Sequence, residues 1–244
     1  MREQAHLLEV AELDLAFASS RWEFAERQAA AIATHWSRLT KAKPSLFNGR
    51  VLLLGNRLIE TRSDGTLKLK GVYFETDYAD FLAWTEFGHP GGSVDNCFAM
   101  AALRSDDGAF LLGEMAHHTY NAGQIYFPAG TPDPDDVFDD RVDLEASARR
   151  ELLEETGLLA AETNMAPDWT VVITSQRIAC MKLMTFPLPA ARLKARIEAF
   201  LARDPLAEFA RMHIVRDPKD IDDARVPGFV ADYLRYAFAH RAAG

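Results

Sequence analysis

Apolar residues recurring at a spacing of two predict several strands in this chain, and stretches with a spacing of three to four predict helices between them. Residues 10–17 (VAELDLAF) alternate well enough for a strand. Ser19 or Ser20 can then cap a helix running to about Leu39, with Trp22, Phe24, Ala25, Ile32 and Trp36 as its apolar contacts. Pro44 ends that region, and residues 45–49 read as a turn into a strand over 50–59. The hairpin signal Ser63-Asp64-Gly65-Thr66 returns the chain over 67–75. Asp77 can begin a short helix through Trp84, which His89-Pro90-Gly91-Gly92 then breaks.

Two strongly apolar arms, 97–103 and 109–115, flank Ser105-Asp106-Asp107-Gly108 and predict a second hairpin. A polar and aromatic loop over 117–124 leads into IYFPAG at 125–130, a strand running into a turn. Residues 132–140, with two prolines and a cluster of acids, predict no regular structure. A helix then starts near Asp143, a good cap, and stops at Gly157. Downstream, 169–175 and Arg177–Phe186 read as strands, 190–202 as an amphipathic helix, Phe209–Val215 as a strand and 226–240 as a closing helix. Strands and helices interleave without a regular repeat, so the class is mixed α/β.

Charge narrows the partners. The chain has 244 residues and a formal net charge of −9, with acidic and basic residues mixed along it. The lack of a basic stripe argues against nucleic acid as the partner. An acidic protein that handles phosphates needs a metal to bring like charges together. Cys97 and Cys180 share no metal-ligand spacing and read as reduced strand residues. The first ten residues carry Arg2, Glu3 and Glu9 instead of a signal peptide's apolar run, and no stretch approaches the length of a membrane span. These features predict a soluble, cytoplasmic protein with no membrane partner.

The candidate chemistry lies in Arg150-Glu151-Leu152-Leu153-Glu154-Glu155-Thr156-Gly157, which places three carboxylates and a guanidinium within six residues of one helix. At about 100° per residue, Glu151 and Glu155 sit almost above one another, with Glu154 on the flank. Glu155 also lies beside the apolar row Leu144, Ala148 and Leu152, which withdraws it from water. Like charges at i,i+4 repel by a few tenths of a kcal/mol. A hard divalent cation bound through oxygens offsets that repulsion. An ordinary solvated Glu/Arg surface is the competing reading.

FPAG at 127–130, a loop, and a helix bearing RELLEETG resemble the Nudix hydrolase family. That family's box is a Gly, five residues, a Glu, seven residues, then Arg-Glu-aliphatic-any-Glu-Glu-any-Gly. The second half matches in full. In the first half, the family's Glu position holds Val142 and its Gly position holds Asp136. A six-residue insertion repairs the alignment, with Gly130 in the glycine role and Asp136, six residues on, able to stand in for the missing Glu. The resemblance implies a Nudix-type α/β/α sandwich with a mixed sheet, an N-terminal α/β extension over 1–92 and the Nudix domain over 93–244. It also implies Mg²⁺, or Mn²⁺, held by Glu151, Glu154, Glu155 and a carbonyl near Gly130, and admits a homodimer. Arg150 is then expected to orient a carboxylate, Glu154 at i+4. The general base would be one of the helix glutamates or a glutamate from a distal loop, for which Glu208 is the candidate.

For the substrate, base stacking needs an aromatic face, and Tyr73, Phe74, Tyr78, Tyr120 and Tyr126 are candidates. Arg50, Lys68, Lys70, Arg177 and His118 are candidates for phosphate contacts. Residues 36–47 and 78–82 are similar to the N-terminal part of the Nudix branch that cleaves UDP-glucose, which implies hydrolysis of a UDP-sugar to UMP and a sugar 1-phosphate. Coenzyme A or a dinucleotide is the runner-up. A catalytically silent domain that senses a nucleotide is the reading from another class, and the intact glutamates speak against it.

Overall fold

The computed structural model describes residues 5–240. In chain order it contains β1 (His6–Val10), β2 (Glu12–Phe17), α1 (Glu23–Ala42), β3 (Arg50–Thr61), β4 (Leu67–Asp77), α2 (Tyr78–Glu86), β5 (Val94–Ser105), β6 (Phe110–Met115) and β7 (Ile125–Tyr126). A short hairpin, β8 (Val137–Phe138) and β9 (Arg141–Val142), precedes α3 (Leu144–Thr156). There follow β10 (Asn164–Met165), β11 (Trp169–Ile173), β12 (Arg177–Phe186), α4 (Ala190–Leu201), β13 (Phe209–Val215) and α5 (Gly228–His240). The fold is mixed α/β, as the interleaved pattern predicts.

The strands form one mixed sheet with the path β1-β11-β12-β5-β3-β4-β2-β9-β8, and β6 carries β13 and β7 beside β5. The pairs β5–β12 and β2–β4 are parallel; β3–β4, β3–β5, β1–β11 and β6–β13 are antiparallel. Residues 10–17, expected as one strand, are divided. Val10 pairs with Trp169 of β11, Ala11 bends and donates its N–H to Leu67 O at 2.9 Å, and Glu12 pairs with Lys68 of β4. Val10 and Leu15, five residues apart, would face opposite sides of an unbroken strand, and the break at Ala11 lets both enter the same core. The chain thus passes at Ala11 from one flank of the sheet to the other, and the sheet curls back on itself.

The run Val51-Leu52-Leu53-Leu54 in β3 has both faces buried. Leu52 and Leu54 enter the main core, while Val51 and Leu53 join Phe74 of β4 and Phe81, Leu82 and Trp84 of α2. A strand covered on both sides reads as a continuous apolar run for this reason. The start of α1 is set by packing. Its N-cap is Trp22, with no side-chain cap bond, and the Trp22 ring lies 4.9 Å from Phe24, 5.6 Å from Phe74 and 5.8 Å from Trp84. That aromatic contact displaces the serine cap expected from sequence. Among the described residues, no helix is long and apolar enough to cross a membrane.

Candidate active site

Helix α3 is closed at both ends as its sequence predicts. Asp143 accepts hydrogen bonds from the N–H groups of Glu145 and Ala146 at 3.0 and 2.9 Å. Gly157 adopts φ 67° and donates to Leu153 O at 2.8 Å, an arrangement that favours glycine. The buried face carries Leu144, Ser147, Ala148, Leu152 and Thr156, and in the same row the carboxylate residue Glu155.

Glu155 is only 5 % exposed, and its Oε2 accepts the N–H of Ala129 at 3.0 Å, which ties the helix to the FPAG turn. Burial pushes its pKa well above the ordinary glutamate value, and the charges of Glu151 and Glu208 push it further. Glu151 accepts from Arg150 Nη1 at 2.8 Å. Burial raises it to about 7 against the opposing pull of Arg150, with Glu154 and Glu208 adding repulsion. Glu154 faces water. Gly130 faces Glu151 so closely that a Cβ at this position would occupy the space of the Glu151 carboxylate.

Upstream of the helix, Asp136 is a close partner of Arg150. It lies in a 3-10 turn at Pro134–Asp136, is buried, and receives Arg150 Nη2 on both oxygens at 3.1 and 3.0 Å. Arg150 therefore does not chiefly orient Glu154, which stands 3.6 Å away; its close partners are Asp136 and Glu151. Val142, at the family's Glu position, is a core residue instead.

A cleft of about 350 Å³ opens beside Ala129, Gly130 and Thr131. It is lined by Tyr78, Phe81 and Leu82 of α2, by Asn96 near the start of β5, by Gln176 and Arg177 where β12 begins, and by Phe229 of α5.

Residues 97–179 match the family model of the NUDIX domain. This stretch of the chain is a NUDIX domain. Solved structures of other proteins show similarity, among them the following three. The Nudix hydrolase RenU from M. smegmatis is 17% identical, covering 60% of this chain and 84% of its own, with a TM-score of 0.40. The MutT protein from Methanosarcina mazei Go1 is 19% identical over 59% and 94%, with a TM-score of 0.40. A Nudix hydrolase from Nitrosomonas europaea is 16% identical over 62% and 90%, with a TM-score of 0.39. No curated protein matches.

The Nudix helix and turn supply only oxygen donors, namely three carboxylates and the Gly130 backbone, and this set suits a hard divalent cation. Two of the three carboxylates are withdrawn from water beside one another, which costs free energy unless a proton or a cation compensates. As they stand, no three metal-ligating side chains converge among the described residues: Glu151 is turned to Arg150, Glu155 to Ala129 and Glu154 to solvent.

The remaining candidates are dispersed. Glu208 precedes β13 and is solvent-exposed as a residue, yet neighbouring groups crowd its carboxylate and raise its pKa; its charge acts on Glu151, Glu154 and Glu155. His118 sits near Glu208 with its ring nitrogen 3.2 Å from Leu206 O, in a separate groove. Tyr78, Tyr120 and Tyr126 line the cleft, Tyr126 accepting from Asn121 at 3.1 Å, whereas Tyr73 is locked in the core by a bond to Cys97 O. Phe74 packs beneath α2. Arg177 lies over the Phe229 ring at the cleft. Arg50 is held by Glu75 at 2.5 Å and by Asp77, and does not reach the cleft; Lys68 and Lys70 pair with Glu12, Asp14 and Glu60. The Ala129 N–H, Gln176 and Phe229 left no mark in the sequence, because backbone donors and distant side chains carry no local pattern.

Proposed function

We propose that this protein hydrolyses a diphosphate linkage in a nucleoside diphosphate derivative with the help of Mg²⁺, and that the substrate is a UDP-sugar, giving UMP and a sugar 1-phosphate. One observation supports this reading above the others: the buried Glu155 is tied to Ala129 and Glu151 stands against Gly130, and these two turn residues also line the cleft. Glu151, Glu154, Glu155 and the Gly130 carbonyl would hold the cation, which when bound supplies charge neutralisation and Lewis acidity at the phosphates. Arg150, braced by Asp136, holds Glu151 in register with the turn. Glu208, whose charge is felt by Glu151 and Glu155, is the candidate base from outside the helix.

The N-terminal extension takes part in the substrate site as well as in the sheet, since α2 lines the cleft. The free cysteines Cys97 and Cys180, with Sγ atoms 4.0 Å apart, fit a reducing cytoplasm.

Mass spectrometry of UDP-glucose incubated with the protein should show UMP and glucose 1-phosphate in Mg²⁺, neither product with chelator, and a loss of about a hundredfold or more in rate for Glu155→Gln. Hydrolysis indifferent to both metal and substitution would sink the site. If no UDP-sugar, coenzyme A or dinucleotide substrate turns over, a silent nucleotide-binding domain becomes the better description.

A further inference from the structure

The cleft holds polar groups that diphosphate chemistry does not use. Its lining combines the rings of Tyr78, Phe81 and Phe229 with the neutral amides of Asn96 and Gln176, and contains no aspartate, glutamate or lysine among the described residues. Its one permanent cation, Arg177, lies 4.9 Å from the centroid of Phe229. Aromatic faces with neutral amide edges suit a planar, uncharged, hydrogen-bonding group better than they suit a phosphate.

Within this lining, the Oδ1 of Asn96 is shielded from water and has no hydrogen-bond partner among the described residues. An acceptor left in that state costs free energy, which a bound donor recovers. The backbone fixes the residue's place. Asn96 pairs with Arg177 across β5 and β12, and its N–H donates to Gln176 O at 2.9 Å. Its terminal torsion is broad, so a modest rotation of the amide brings the oxygen toward the cleft without moving the strand.

We infer that the cleft takes the nucleobase of the substrate, and that Asn96 Oδ1 accepts a hydrogen bond from the imide N–H of a uracil ring. The choice of uracil rests on the UDP-sugar reading. The amide edge of asparagine is complementary to a base edge that offers an N–H beside a carbonyl, since it presents one acceptor and one donor side by side. A ring seated there lies against the aromatic wall supplied by α2 and α5, next to the Gly130 turn where the diphosphate would begin.

Calorimetric titration with UMP in Mg²⁺ tests this apart from hydrolysis, because UMP has no linkage to cleave. UMP is expected to bind the wild type, and N3-methyl-UMP to bind about tenfold more weakly, since the methyl group removes the donor. Asn96→Leu should lose about the same factor toward UMP and nothing further toward the methylated ligand. Equal affinity of the wild type for the two ligands overturns the inference whatever the variant does, as does an Asn96→Leu protein that binds UMP like the wild type. Failure of UMP to bind overturns it too. Discriminating UMP binding by a protein that cleaves no diphosphate would leave the base pocket standing and remove the hydrolase reading alone.

Discussion

Glu155 illustrates how one position can serve both core and chemistry. It continues the row Leu144, Ala148 and Leu152, yet it ends in a carboxylate whose one oxygen is bound by the Ala129 N–H. Its burial follows from spacing on the helix and is legible in the sequence. The Ala129 contact is not, because a backbone donor has no residue identity. Gly130 makes the same point from the other side. Its lack of a Cβ leaves room for the Glu151 carboxylate. Gly130→Ala is expected to push Glu151 out of that space and lower kcat by about tenfold or more. Its melting temperature should change little, because the displaced group is the end of a flexible side chain. Steady-state kinetics beside thermal denaturation distinguishes this from general unfolding.

Among the elements, the stretch between Gly130 and α3 departs furthest from expectation. Read as irregular, residues 132–140 in fact hold a 3-10 turn and the start of the β8–β9 hairpin, whose two central residues, Asp139 and Asp140, have φ of 48° and 56°. Two successive left-handed residues make the type of turn whose twist matches paired strands, but Asp-Asp is a weaker signal for it than Asn-Gly. The hairpin is anchored on the N-terminal strands: Phe17 N–H donates to Asp140 O at 2.8 Å, Leu52 N–H to Pro132 O at 2.7 Å, and Arg141 pairs with Asp14 at 2.9 Å. These contacts hold Asp136 under Arg150. Asp136→Asn, which keeps shape and removes charge, should reduce kcat about tenfold to a hundredfold with KM nearly unchanged if Arg150 positions Glu151 as proposed. It should also destabilise the fold by about 1–3 kcal/mol through the under-compensated guanidinium. A fall confined to KM would contradict this role.

Across the whole molecule, the N-terminal strands and the Nudix part share one sheet. β1 pairs with β11, β3 with β5, and β2 with the β8–β9 hairpin. Removal of residues 1–92 would therefore bare the β5 and β11 edges and the core under Leu52, Leu54 and Leu69. The expected outcome is a fragment 93–244 that is insoluble or lacks cooperative thermal unfolding by circular dichroism. A monodisperse, cooperatively folded fragment would show that the sheet tolerates the cut.

The sequence by itself determined most elements, the caps at Asp143 and Gly157, and the three carboxylates on one helix, because each depends on periodicity or on a residue's own backbone preference. Tertiary structure alone decided the division of residues 10–17 between two flanks of the sheet, the transfer of Arg150 from Glu154 to Asp136, and the assembly of the cleft from α2, β5, β12 and α5. Those outcomes depend on which distant surfaces meet, and neither spacing nor propensity encodes the partner across a sheet.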